Sequence, residues 1–179
     1  MRRKCVFLMF LATLAMFSCT VSKTSQKRSE QQALKAQVIR QQVDAQHYEI
    51  RVRQAFPLGR SPLTFSESFS LTISGDSIIS YLPYFGRVHG FANGGYYLDY
   101  WPDAYIKTYK GKALNFTGTI REYQATWPSD EKVRISIIVE TDEDVYQYEV
   151  DVFVNGSANI RVMSRKLDYI SFSGEILDT

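Results

Sequence analysis

From Tyr48 to the end of the chain, apolar residues recur at every second position in segment after segment, with polar residues between them. A period of two is the mark of a strand with one buried face, because successive side chains on a strand point to opposite sides. Tyr48, Ile50 and Val52 alternate with Glu49, Arg51 and Arg53, and Phe69, Leu71 and Ile73 alternate with Ser68, Ser70 and Thr72. The pattern returns around Leu114–Ile120, Val133–Val139, Tyr146–Val154, Ala158–Val162 and Ile170–Ile176, and Tyr105 to Tyr109 reads as one more short strand.

The punctuation between these runs is that of tight turns. Pro57 and Pro62 bracket a loop, Gly75-Asp76 offers a two-residue turn into Ser77–Leu82, and Trp127-Pro128-Ser129-Asp130 marks another reversal. Thr141-Asp142-Glu143-Asp144 reads as a charged, solvated turn. Asn155-Gly156 predicts a type I′ hairpin with positive φ at both central residues. No helical pattern separates consecutive strands, and parallel sheets need such crossovers. The expected fold is all-β, an antiparallel meander of about eight or nine strands curled into a barrel-like or sandwich sheet. Gly118 and Gly174 each fall on the apolar face of a strand, which predicts strong coiling or a close backbone approach.

Before this β-rich domain, residues 47–179, the chain has a different character. Residues 19–46 are polar, and within them Ser29-Glu30-Gln31-Gln32 has the form of a capping box. Ala36, Ile39 and Val43 follow at helical spacing, with Leu34 and Val38 beside them, predicting a helix over 29–45 that lies on the domain behind a flexible tether. The apolar stripe from Ala36 to Val43 runs for only two to three turns, too few for a coiled coil.

Residues 1–18 have the layout of a signal peptide, with Arg2, Arg3 and Lys4 followed by an apolar run from Val6 to Phe17. That run is too short to span a bilayer, which takes roughly 20 apolar residues. Met16-Phe17-Ser18-Cys19 resembles the lipobox of bacterial lipoproteins, which predicts lipidation of Cys19 with palmitate-type acyl chains. The other cysteine, Cys5, falls in the segment that would be removed, so Cys19 would have no disulfide partner. Thr20-Val21-Ser22-Lys23 carries no acidic residue, and the expected address is the periplasmic face of the outer membrane.

Cleavage also changes the charge. The full chain has 21 basic and 19 acidic residues; without Arg2, Arg3 and Lys4, 18 basic residues face 19 acidic ones, a balance of −1. A nearly neutral chain gives no basic field for nucleic acid.

The run Gly75-Asp-Ser-Ile-Ile-Ser-Tyr-Leu-Pro-Tyr-Phe-Gly-Arg87 resembles the signature of the domain-of-unknown-function family 4251. Asn155-Gly156-Ser157-Ala158 and Ser171-Phe172-Ser173-Gly174-Glu175-Ile176 are similar to its closing hairpin and final strand. The resemblance extends over residues 48–177 approximately. It implies a small single-domain lipoprotein of the Bacteroidetes, and no activity.

The densest chemistry lies between Tyr81 and Tyr100. Tyr81, Tyr84, Phe85, Tyr96 and Tyr97 gather around Arg87 and His89, while Gly86, Gly90, Gly94 and Gly95 free the backbone. Aromatic rings beside a cation on a loop suit a sugar, peptide or other small ligand. The same rings equally suit a plug for one end of the sheet. Catalytic signatures are lacking: His47 and His89 are the only histidines, and neither a nucleophile elbow nor a zinc-binding helix pair accompanies them. A His89, Ser80 and Asp99 trio is the kind that arises by chance in a chain of this size. No cofactor or metal is expected, since Asp142–Asp144 lacks the glycine and distant glutamate of a calcium loop. The expected function is a membrane-tethered, non-enzymatic lipoprotein that binds an envelope protein or small ligand. The alternatives are a structural envelope protein and, third, a hydrolase using His89.

Overall fold

The computed structural model describes residues 27–89, 96–98, 114–142 and 144–177. A helix, α1, covers residues 27–44, and ten strands follow among the described residues. They are β1 (His47–Pro57), β2 (Leu63–Ser74), β3 (Ser77–Tyr81), β4 (Gly86–Val88), β5 (Tyr96–Leu98), β6 (Asn115–Ser129), β7 (Lys132–Glu140), β8 (Val145–Phe153), β9 (Ser157–Ser164) and β10 (Ile170–Ile176). Eight of them close into an antiparallel barrel in the order β1-β10-β9-β8-β7-β6-β3-β2, and β4 pairs with β5 apart from it. The sheet is therefore up-and-down throughout, with one insertion between β3 and β6. Of the two architectures that the alternation allowed, the barrel is the one formed. Cys19 and the segment before it, Glu143, and the strand expected at Tyr105 to Tyr109 lie outside the described residues.

The inward residues are those of the apolar alternation. Tyr48, Ile50 and Val52 on β1, Leu71 and Ile73 on β2, and Tyr148, Val150 and Val152 on β8 are buried. An eight-stranded barrel is just wide enough for side chains to fill, and Tyr48, Tyr148 and Phe172 are its bulkiest fully buried occupants. A bulge between Val52 and Gln54 shifts the register of β1 against both neighbours. The extra residue turns the parity over, so the inward positions become Ala55 and Pro57 beyond it.

Closure requires the first and last strands to meet, and Gly174 makes room for it. A Cβ at Gly174 would overlap the carbonyl oxygen of Arg51 on β1. At Gly118 the obstacle is softer, a methyl of Val139 at 2.7 Å from the position of an added Cβ. Both glycines thus mark close approaches, as their place on the apolar face predicts.

One end of the barrel is closed by α1. Ile39 and Val43 are buried against it and Ala36 is half-buried, whereas Leu34 is 63% exposed and Val38 39%. Gln42 Nε2 donates to the Leu177 carbonyl at 3.0 Å, and Tyr123 donates from β6 to the Val43 carbonyl at 3.1 Å. Arg40 lies 4.6 Å over the Trp127 ring and 3.5 Å from Asp130, so the β6–β7 hairpin clasps the helix. Gln46, at φ 52°, ends the helix in a left-handed turn and releases the chain into β1.

Three local expectations need correction. Ser29 is not an N-cap: the chain is already helical at 27 and 28, where Lys27 and Arg28 are good helix formers. The β6–β7 reversal falls at Asp130-Glu131, and β6 runs on through Trp127 and Pro128 because a register shift between Thr126 and Ser129 accommodates the proline. Between β8 and β9 the loop is Val154-Asn155-Gly156, and among the described residues of that loop only Gly156 has positive φ, at 92°. Gly156 N donates to the Phe153 carbonyl at 2.8 Å, the arrangement of a three-residue hairpin. Asn155 Oδ1 accepts from Ser157 N at 2.9 Å and Ser157 Oγ at 2.7 Å, which holds Asn155 out of the two-residue geometry.

Candidate functional site

The insertion between β3 and β6 leaves and re-enters the barrel at one point. Leu82 N donates to the Leu114 carbonyl at 3.1 Å, and both residues are buried. The same carbonyl accepts from Ser80 Oγ at 2.8 Å, and Ser80 accepts from the buried Tyr148 hydroxyl at 3.0 Å. Burial pushes the Tyr148 phenol well above the usual tyrosine range, so it stays a neutral donor.

Beyond this neck the chain folds over the open end of the barrel. Tyr84 and Phe85 are buried there. Phe85 stacks on Phe65 with centroids 6.1 Å apart, and Phe65 meets Phe69 edge-on at 5.0 Å. The Tyr84 hydroxyl donates to the Asp168 carbonyl at 3.2 Å, and burial drives its phenol well above the usual range, with the Asp168 charge adding to the rise. A Cβ at Gly86 would collide with the Tyr84 hydroxyl, so glycine is needed for the ring to fold back over its own backbone.

His89 completes the attachment. Its backbone N donates to the Lys166 carbonyl at 2.6 Å, and its Nε2 donates to Asp168 Oδ1 at 2.7 Å. The 166–168 connection is itself held by Asp144. That carboxylate is buried, accepting from Val145 N at 2.8 Å and Lys166 N at 3.3 Å. The solvated turn expected at Thr141–Asp144 is in this respect an anchor, because a buried carboxylate needs backbone donors.

The sequence-predicted site residues thus divide. Tyr84 and Phe85 are core groups that stopper the barrel, while Tyr81 and His89 stay exposed at its rim. In backbone register Arg87 lies opposite Tyr97 and Val88 opposite Tyr96 on the β4–β5 ribbon; the side chains of Arg87, Tyr96 and Tyr97 lie outside the described set. Asp168 was invisible to sequence reasoning, because no local pattern links it to a histidine on another loop. Ser80 is 0% exposed with its hydroxyl committed to Leu114, which takes it out of the trio imagined with His89. Asp99 lies outside the described residues.

Among the described residues no three metal-ligating side chains converge, and no helix is long and apolar enough to cross a membrane. Two shallow grooves mark the outer wall. One of about 330 Å³ is lined by Arg134, Glu149, Asp151 and Arg161, and another of about 450 Å³ by Ile138, Met163, Arg121 and Arg165. In the first, Arg134 and Lys132 both meet Asp151, at 2.9 and 3.5 Å. Partial burial of Asp151 works against its ionisation, but the hydrogen bond from Arg134 and the charges of Lys132 and Arg134 prevail and hold the carboxyl below its usual range.

A closed, filled, antiparallel eight-stranded barrel stoppered by a helix at one end and an aromatic loop at the other is the class these observations define. The chain belongs to the family described as Domain of unknown function (DUF4251), which matches residues 30–176. A crystal structure of a DUF4251 family protein from Bacteroides eggerthii DSM 20697 has the same fold, with a TM-score of 0.58 at 11% identity over 81% of this chain and 88% of that one. No curated protein matches the chain.

Proposed function

We propose that the protein is a lipid-anchored, non-enzymatic binding platform of the cell envelope. In this reading acyl chains on Cys19 hold the barrel at a membrane, on the periplasmic face of the outer membrane, and the outside of the barrel engages an envelope protein or small ligand. The observation that carries it is the stoppering of both ends over a packed interior. Ile39 and Val43 fill one mouth, Tyr84 and Phe85 the other, and Tyr148 and Phe172 the space between. Recognition then falls to the outer wall and to the rim where Tyr81 and His89 stand. The lipobox-like Met16–Cys19 and the polar stretch behind it support the tether.

The alternative of a structural envelope protein assembling through a sheet edge is less well supported, since pairing of β1 with β10 removes the edges of the barrel sheet. The exposed Leu34 and Val38 on α1 are the surface such assembly would use.

Metabolic labelling with a palmitate analogue, followed by membrane fractionation, tests the anchor. Label and outer-membrane recovery are expected for the wild type and loss of both for Cys19→Ser; an unlabelled wild type overturns it. For the rim, Tyr81→Ala and His89→Ala should remove captured partners while the fold persists. Unchanged capture by both folded variants would sink the rim assignment.

A further inference from the structure

The outer wall of the barrel is divided by charge. On β7, β8 and β9 the outward positions form an ionic lattice, with Arg134 on Asp151 at 2.9 Å and Arg161 on Glu149 at 3.2 Å. On β2, β3 and β6 the outward positions within the paired stretches Ser70–Ser74, Ser77–Tyr81 and Asn115–Thr119 carry no charge, and charge returns at Glu67 on β2 and at Arg121 and Glu122 farther along β6. Strand register arranges them in rows: Ser70, Tyr81 and Asn115 lie side by side, as do Thr72, Ile79 and Thr117. A third row runs from Ser74 through Ser77 to Thr119. Ile79, at the centre, is 48% exposed and Tyr81 is 43% exposed. Ionisable residues resume at the borders, with Glu49 opposite Thr72, Arg51 opposite Ser70, and Glu140 opposite Thr119.

A charge-free patch inside a charged rim is the anatomy of a recognition surface. Its size decides what it recognises. Strands lie ~4.8 Å apart and outward residues repeat every ~6.8 Å along them, so three rows across three strands cover about 300 Å². That is well short of the ~800 Å² per partner of a stable protein–protein interface. A small ligand fits this area better than a second copy of the chain.

The chemistry of the panel narrows the ligand. Six of the nine positions are Ser or Thr and a seventh is Asn, and hydroxyls and amides both donate and accept. The two remaining are an aromatic and an aliphatic side chain. Tyr81 is held by Phe69, with ring centroids 5.4 Å apart, so its ring is positioned before any ligand arrives. Fixed hydroxyl rows beside a held aromatic ring match the surface of a sugar, whose hydroxyls pair with polar groups while its C–H face packs on a ring. The absence of charge selects against ionised sugars. We infer that the β2–β3–β6 wall binds a short neutral oligosaccharide, laid across the strands with one unit on Tyr81 and another over Ile79.

Isothermal titration of the purified full chain in detergent with chitotetraose, cellotetraose and maltotetraose tests this site. At least one should bind with a Kd of about 1 mM or tighter. Tyr81→Ala and Thr117→Asp should each weaken it roughly tenfold, while Arg134→Ala, in the ionic lattice outside the panel, leaves it unchanged. Thr117 is exposed, so its replacement is expected to keep the fold, and this variant, checked for folding by its thermal melt, decides the matter if loss of the Phe69 contact destabilises Tyr81→Ala. Absence of heat with all three sugars, or equal binding by the panel variants, overturns the assignment. So does a concentration-dependent dimer that Thr117→Asp dissociates, which would make the wall a contact between copies. The readout is independent of whether Cys19 is acylated, so the tether and the sugar site fail separately.

Discussion

Tyr148 donates its hydroxyl proton to Ser80 across 3.0 Å inside the barrel, and Ser80 donates in turn to the Leu114 carbonyl at 2.8 Å. The pair joins the centre of β8 to the neck of the insertion. Tyr148→Phe removes one hydrogen bond and should cost about 1 kcal/mol, whereas Ser80→Ala removes two and strands the buried phenol, the Leu114 carbonyl keeping its bond from Leu82 N, and should cost about 2–3 kcal/mol. Urea denaturation of the two variants checks the order, and a smaller loss for Ser80→Ala would refute the chain of donors.

Barrel closure should be sensitive to a single methyl group. Gly174→Ala pushes a Cβ into the β1 backbone, which cannot yield without breaking the seam, and a loss of about 2–3 kcal/mol is expected. Gly118→Ala meets a side-chain methyl that can rotate and should cost about 1 kcal/mol. Thermal melts of both variants measure the contrast.

The helix stopper predicts a sharp split between its faces. Ile39→Ala should cost about 2–4 kcal/mol through the cavity it leaves, and Leu34→Ala on the exposed side should stay within about 0.5 kcal/mol. If instead Leu34→Ala alone altered the oligomeric state, α1 would be serving assembly.

High pH should unfold the protein through its buried phenols. Tyr48, Tyr84 and Tyr148 are raised chiefly by burial above the tyrosine range. A raised folded pKa means their contribution is complete below the unfolded value of about 10 and is lost as pH climbs past it. Absorbance titration should show a set of tyrosines ionising only together with loss of the fold; smooth ionisation near pH 10 with the barrel intact would contradict this.

At the acid end Asp151 acts in the opposite sense. Its lowered carboxyl stabilises the fold above the unfolded carboxylate range, and that contribution fades as pH falls through the depressed folded value. Asp151→Asn should flatten the stability profile between about pH 5 and pH 2. A profile parallel to wild type would show that Arg134 and Lys132 lend the site nothing.

Much of this molecule could be read from spacing. The alternation from Tyr48 to Ile176 fixes which residues point inward, and the lack of crossover helices fixes the antiparallel order. Gly118 and Gly174 announced close approaches because a glycine on an apolar face gives up packing for space. The β1 bulge was hidden, since it appears in sequence only as a shift of parity between Val52 and Ala55. The aromatic loop was found by composition, but composition does not tell a stopper from a ligand site. What separates Tyr84 from Tyr81 is which residue the loop folds inward, and that depends on the bond from Tyr84 to Asp168, far along the chain, and on the stacking of its neighbour Phe85 on Phe65. The uncharged wall was equally hidden, because its rows are assembled from three strands that become neighbours only through pairing.

The meeting of Ile50 with Ile176 makes the last strand a checkpoint for the whole chain. Until β10 arrives, β1 and β9 each present a row of unanswered peptide groups, open to proteases and to neighbouring chains. A truncated product would carry every other strand and still be recognisable as unfinished. The pairing of β1 with β10 is the one that answers both rows at once.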